Sequence, residues 1–165
     1  MDLRPDQAVR GDQRGLPLLR TALEAALRGL TLSHAWTADG ALFLEFGTLS
    51  PSRVRRRDGS SGNPVGEVSA CLYGGWRIEA AEGPRPPGDI VGLRLASGGV
   101  AGAPPELDLI FETGARVVSL SAPGEAPDWA VADRRGASAI WYAVEDGMVR
   151  AGDGGPSTPP HFHNP

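Results

Sequence analysis

Apolar residues recur three and four positions apart through Leu19, Leu23, Ala26, Leu27 and Leu30, and from Leu30 onward they recur at every second position. The first spacing matches one face of an α-helix and the second one face of a strand. The pattern therefore predicts a helix over 16–28, with Arg20, Glu24 and Arg28 four apart on its polar side. Gly29 stands where a left-handed residue ends a helix. Beyond it, Leu30, Leu32, His34 and Trp36 are expected to share one side of a strand. Asp39-Gly40 makes a tight hairpin turn, and the return strand sets Leu42, Leu44 and Phe46 against Phe43 and Glu45. Further strands are expected over 67–73, 76–79, 90–96, 107–111, 115–121, 128–132, 138–144 and 148–150, punctuated by Gly-Gly, Pro-rich and Asp-Gly turns.

The alternation comes in two related blocks. Leu30 to Leu32 followed by Leu42-Phe43-Leu44-Glu45-Phe46-Gly47 is echoed by Leu93 to Leu95 followed by Leu107-Asp108-Leu109-Ile110-Phe111. A Val-Ser pair follows in each (Val68-Ser69, Val118-Ser119), and then a Trp (Trp76, Trp129). The blocks differ in one connection. After Phe111 it is the short Glu112-Thr113-Gly114-Ala115, whereas after Phe46 it is the long polar segment 47–66. Strands that follow one another without helices pair antiparallel. The expected fold is mainly β: an antiparallel sandwich or rolled open barrel of about ten short strands in two pseudo-repeated halves, with one N-terminal helix. Residues 16–150 form the expected single domain, flanked by disordered tails at 1–15 and 151–165. Leu32, Leu44, Phe46, Leu95, Leu109 and Phe111 are the expected core.

Composition narrows the function classes. The chain carries 23 Gly and 15 Pro, which favours short strands, and all 16 basic residues are Arg. A net charge of −4 argues against nucleic-acid and anionic-membrane binding. One cysteine, Cys71, allows neither an internal disulfide nor a cysteine metal cluster. The polar N-terminal stretch has no signal-peptide core and no apolar run reaches membrane-spanning length, so the expected location is cytoplasmic. No metal site and no cofactor is expected; His161 and His163 in the C-terminal segment are too few ligands to hold a metal.

The chemistry of interest concentrates in the unmatched segment 47–66. Arg55, Arg56 and Arg57 are consecutive, and adjacent guanidiniums repel unless an anion or acidic partner neutralises them. Asn63 extends the loop, and Glu67, Trp76 and Arg77 lie on the strands that follow. These seven residues are the expected binding surface, for an acidic protein surface or a small anion, with Trp76 as apolar anchor. In the alternative reading, an enzyme or small-ligand binder, Arg56, Arg57 and Arg77 hold a phosphate or carboxylate while Glu45 or Glu67 acts as base. No Ser, Cys or His stands at the spacing of a nucleophilic triad.

The pattern Phe46-Gly47, Arg56-Arg57-Asp58-Gly59, Gly66-Glu67 and Trp76-Arg77 resembles a widespread group of small bacterial proteins of uncharacterised function. The chain carries Gly74-Gly75 where members of that group often have Cys-Pro. The resemblance covers the first half of the expected domain and implies no activity. Together the readings lead to a non-enzymatic intracellular binding module of bacterial type, in the manner of an immunity, antitoxin or accessory protein, with the long loop as its working surface.

Overall fold

A computed structural model describes residues 15–52 and 54–153, with side chains from Leu18 onward. The expectations for the two chain ends, His161 and His163 included, lie outside these residues, apart from the start of the C-terminal segment. Helix α1 (Gly15–Leu27) leads into strands β1 (Leu32–Ala38), β2 (Ala41–Phe46), β3 (Val68–Leu72), β4 (Gly75–Ala80) and the two-residue β5 (Gly83–Pro84). A single 3₁₀ turn (Pro87–Ile90) precedes β6 (Leu95–Ala101), β7 (Glu106–Phe111), β8 (Arg116–Leu120), β9 (Trp129–Asp133), β10 (Ile140–Glu145) and β11 (Met148–Gly152). The last strand therefore runs two residues past the expected boundary at 150. The strand expected over 90–96 starts only at Leu95; Pro87, whose fixed φ suits a first helical position, opens a 3₁₀ turn that takes in Ile90.

All pairings are antiparallel, in a six-stranded sheet ordered β1-β2-β3-β9-β10-β11 and a five-stranded sheet ordered β5-β4-β8-β7-β6. The result is a sandwich, not a closed barrel. Each half of the chain runs the same course. β1-β2-β3 is a meander, and β4 leaves it to pair with β8 in the other sheet. β6-β7-β8 is a meander, and β9 leaves it to pair with β3. The two courses meet at the Thr31–Arg94 bridge, through reciprocal bonds. Leu32 N–H donates to Leu93 O (2.9 Å) and Leu95 N–H to Leu30 O (2.8 Å); Gly29 N–H donates to Leu95 O and Gly92 N–H to Leu32 O. β1 and β6 each carry a bulge one residue past the core leucine, at Ser33 and Ala96. The registers align Trp76 with Trp129, and each indole N–H reaches back to its own hairpin, to Gly40 O (2.8 Å) and Pro105 O (2.9 Å). The Val-Ser pairs do not correspond. Ser69 faces Glu45 across the β2–β3 pair, whereas the matching position in β8 is Arg116, opposite Ile110, and Ser119 sits three residues further along the strand.

Between the sheets, Leu32, Leu44 and Phe46 pack with Leu95, Leu109 and Phe111, all at most 1% exposed, as the alternation predicts. Leu23 and Leu27 of α1 join this core. Burying side chains of this size is the dominant stabilising term. The bulge corrects one sequence reading. An extra residue in a strand moves every later side chain to the opposite face. Leu32 therefore points into the core, while His34 and Trp36, expected on the same side, lie with Glu45 and Phe43 on the outer face.

Candidate functional site

That outer face is not a wet one. Glu45, expected on the solvent side of its strand, is 5% exposed, and its cross-strand neighbour Ser69 is 3% exposed. The cover is segment 47–66, which folds into a narrow ribbon. Ser50 and Val65 exchange backbone bonds (2.7 and 2.9 Å), Gly62 N–H donates to Val54 O (2.8 Å), and Arg56 N–H donates to Ser60 O (2.8 Å). Gly59 N–H closes the tip on Arg56 O. The expected loop is thus an arm with a turn at its end.

The base of the arm is pinned to the sheet through Glu45. Its Oε2 accepts the Gly66 backbone N–H (2.8 Å) and the Ser69 hydroxyl (2.5 Å). Arg134, from the far end of β9, donates through Nη1 to Ser69 Oγ (2.7 Å) and to Gly66 O (3.3 Å), and its guanidinium lies 5.9 Å from the Trp141 ring. A side chain at Gly66 has no room: a Cβ there would stand 2.5 Å from Phe46 O and 2.7 Å from Phe46 N. Close approach of two backbones is what glycine permits. On the β1 side, His34 Nε2–H donates to Asn63 Oδ1 (3.1 Å) and Ser33 Oγ donates to Gly47 O (2.6 Å). Thr48 N–H donates to Glu67 Oε2 (2.9 Å), tying the two legs together.

Electrostatics follow from this packing. Burial pushes the Glu45 carboxyl above the usual carboxylate range; the Ser69 hydroxyl, the Gly66 amide, Arg134 and His34 offset part of that rise. Next to it, burial pushes the Cys71 thiol up to about 12, which makes it inert as a nucleophile at neutral pH. A carboxylate so enclosed cannot meet a substrate. Its geometry suits holding a backbone in place, because a buried acceptor with matched donors specifies one arrangement.

The expected site residues separate into three groups. Arg55, Arg56 and Arg57 stand exposed at the tip and, among the described residues, enter no ion pair. The tip acid, Asp58, is engaged by the Ser60 hydroxyl and backbone N–H, which with Arg56 hold its carboxyl below the usual range. Asn63 and Glu67 belong to the base of the arm. Trp76 and Arg77 do not join them, because β4 crosses to the other sheet. Trp76 is half-buried against the core with its indole N–H bonded to Gly40, and Arg77 pairs with Glu79 on the outer face of the five-stranded sheet. Trp76 is thus a structural element, and the pocket that required Arg56, Arg57 and Arg77 on one anion does not form.

Ser69, Arg134 and Trp141 escaped the sequence reading. The available signal was Glu45 itself, a charge between Leu44 and Phe46 that needs a partner if buried. Arg134, which shares Ser69 and Gly66 with Glu45, lies too far along the chain for spacing rules to link the two. Among the described residues no group of three or more His, Cys, Asp or Glu is placed to hold a metal ion, and no helix is long and apolar enough to cross a membrane. Comparison with protein families, with characterised proteins and with solved structures finds no match for this chain.

Proposed function

We propose that the protein is a non-enzymatic binding module that presents Arg55, Arg56 and Arg57 on a locked arm to an acidic partner. We read its two halves as copies of one unit, of which only the first carries the arm. The observation that carries the proposal is the joint arrangement of tip and base. A buried carboxylate, an arginine and a glycine with no space for a side chain hold the base, while three cations stand exposed at the tip. A merely solvated insertion has no need of such anchoring. An extracellular or enzymatic role is not required by any of these features, and a cytoplasmic immunity, antitoxin or accessory role suits an acidic module of this size.

The alternative, catalysis on an anionic substrate with Glu45 or Glu67 as base, has less support. Glu45 is enclosed, Glu67 is engaged by Thr48, and Arg77 lies on the other sheet. Affinity capture from the native cell with wild type and with the R55S/R56S/R57S variant tests the proposal. A partner retained by wild type and lost by the variant supports it; identical partner sets overturn it, since serine supplies neither charge nor a bidentate fork.

A further inference from the structure

A strand at a sheet edge carries a row of unpaired backbone groups, and stable proteins blunt such edges. Three of the four edges here are blunted. β5 is two residues long and contains Pro84. β6 lies under α1, where Leu27 and Glu24 pack so closely that a Cβ at Gly98 or Gly99 would stand 3.0 Å from their side chains. β11 is also flanked by α1 and bears Arg150 on its exposed side.

The fourth edge, β1, is different. Ala35 and Trp36 hold the register positions that Gly98 and Gly99 hold in β6. The element that corresponds to α1 is the single turn Pro87–Ile90, and the chain leaving it bonds to β1 at Leu32, through Gly92 N–H and Leu93 O. From His34 to Ala38, among the described residues, β1 pairs with β2 alone, and this stretch contains no Pro and no Lys, Arg, Asp or Glu. The direction of its free groups is fixed by the hairpin. Asp39 (φ 49°) and Gly40 (φ 80°) make a two-residue turn of the primed type, so Ala38 and Ala41 form a hydrogen-bonded pair. Bonded pairs alternate along an antiparallel ladder. Trp36 and His34 therefore bond to β2, while the N–H and C=O of Ala35 and Thr37 point off the sheet.

We infer that the β1 edge accepts an extended, acidic segment of a partner protein as an additional strand, with that segment's carboxylates meeting the arginine arm. The inference deepens the proposed function and rests on it. Main-chain bonds to Ala35 and Thr37 supply the docking, and side-chain charge supplies the choice of partner. The arm is fixed at the Leu32–His34 end of the strand, through Ser33 and His34, so a segment lying along β1 runs toward it. An acidic partner fits better than a second copy of this chain, whose own β1 stretch would bring a single adjoining acid, Asp39, against three arginines.

The test is an NMR titration of isotope-labelled protein with a synthetic octapeptide of alternating Val and Glu, and with its Val–Lys counterpart. The inference expects shifts and slowed exchange at the Ala35 and Thr37 amides with the Glu peptide, and at least tenfold weaker binding of the Lys peptide. Thr37→Pro removes an outward N–H that no ladder bond uses, so it should fold, as thermal melting checks, and should also weaken binding at least tenfold. The amide shifts and exchange in wild type decide the matter independently if that variant does not fold. Shifts at the arm without any at β1 overturn the edge inference and leave the arm reading standing. Shifts at β1 that R55S/R56S/R57S leaves unweakened uphold strand addition but overturn its coupling to the arm. Self-association that protects Ala35 and Thr37 before peptide is added means a second copy fills the edge, and overturns the inference, as does a titration that moves neither region.

Discussion

Glu45 is the residue on which the local chemistry turns. Its carboxylate holds the Gly66 N–H and the Ser69 hydroxyl inside the protein. Glu45→Ala leaves the Gly66 N–H and the Ser69 hydroxyl without their acceptor, and a buried unsatisfied group costs about 1–3 kcal/mol. A fall in denaturation midpoint of that order is expected, with an unchanged denaturant dependence. Glu45→Gln keeps an acceptor of the same shape and should cost less. The pH dependence separates the two forms. Because burial raises the pKa of Glu45 above its unfolded value, the folded state binds the proton more tightly than the unfolded state. The stability linked to Glu45 is therefore fully present below the ordinary carboxylate range and is lost as pH rises through the raised value. Wild type should lose stability relative to E45Q across that window, and the difference curve between the two proteins, from urea melts at successive pH values, measures it. At acid pH the reverse holds for Asp133. The Arg135 hydrogen bond holds it low, so its contribution disappears as pH falls through the depressed value.

At the scale of elements, alternation in the sequence sufficed for most strands, for the Asp39-Gly40 hairpin and for α1. It failed where one residue changes the phase. The bulge at Ser33 leaves no mark in the hydrophobic pattern, so alternation alone places His34 and Trp36 on the wrong face. It failed again where a strand changes sheets, which is why Trp76 and Arg77 looked like neighbours of the arm. The arm itself was legible as an unmatched polar segment, but its anchoring was not, because Arg134 reaches Gly66 from the other half of the chain. Two results should distinguish tip from base. R55S/R56S/R57S should leave the melting temperature nearly unchanged, since exposed substitutions usually stay within about 0.5 kcal/mol each. Gly66→Ala should destabilise measurably, by about 1–3 kcal/mol, because its methyl group meets the Phe46 backbone.

For the whole molecule, the exchange of β4 and β9 between sheets makes the halves interdependent: each supplies the fourth strand of the other's sheet. Loss of a core side chain in either half should therefore unfold both. Phe46→Ala and Phe111→Ala should each cost about 3–5 kcal/mol, in a single transition seen alike by circular dichroism and tryptophan fluorescence. The account stands on the claim that the arm is a fixed part of this sandwich, held through Glu45. Native-state amide exchange at Gly66 tests that most directly. The account predicts that the Gly66 N–H is protected as well as the amides of β2 in wild type, and that E45A releases it while β7 stays protected. Exchange of Gly66 at the rate of an open loop in the wild-type protein would contradict it.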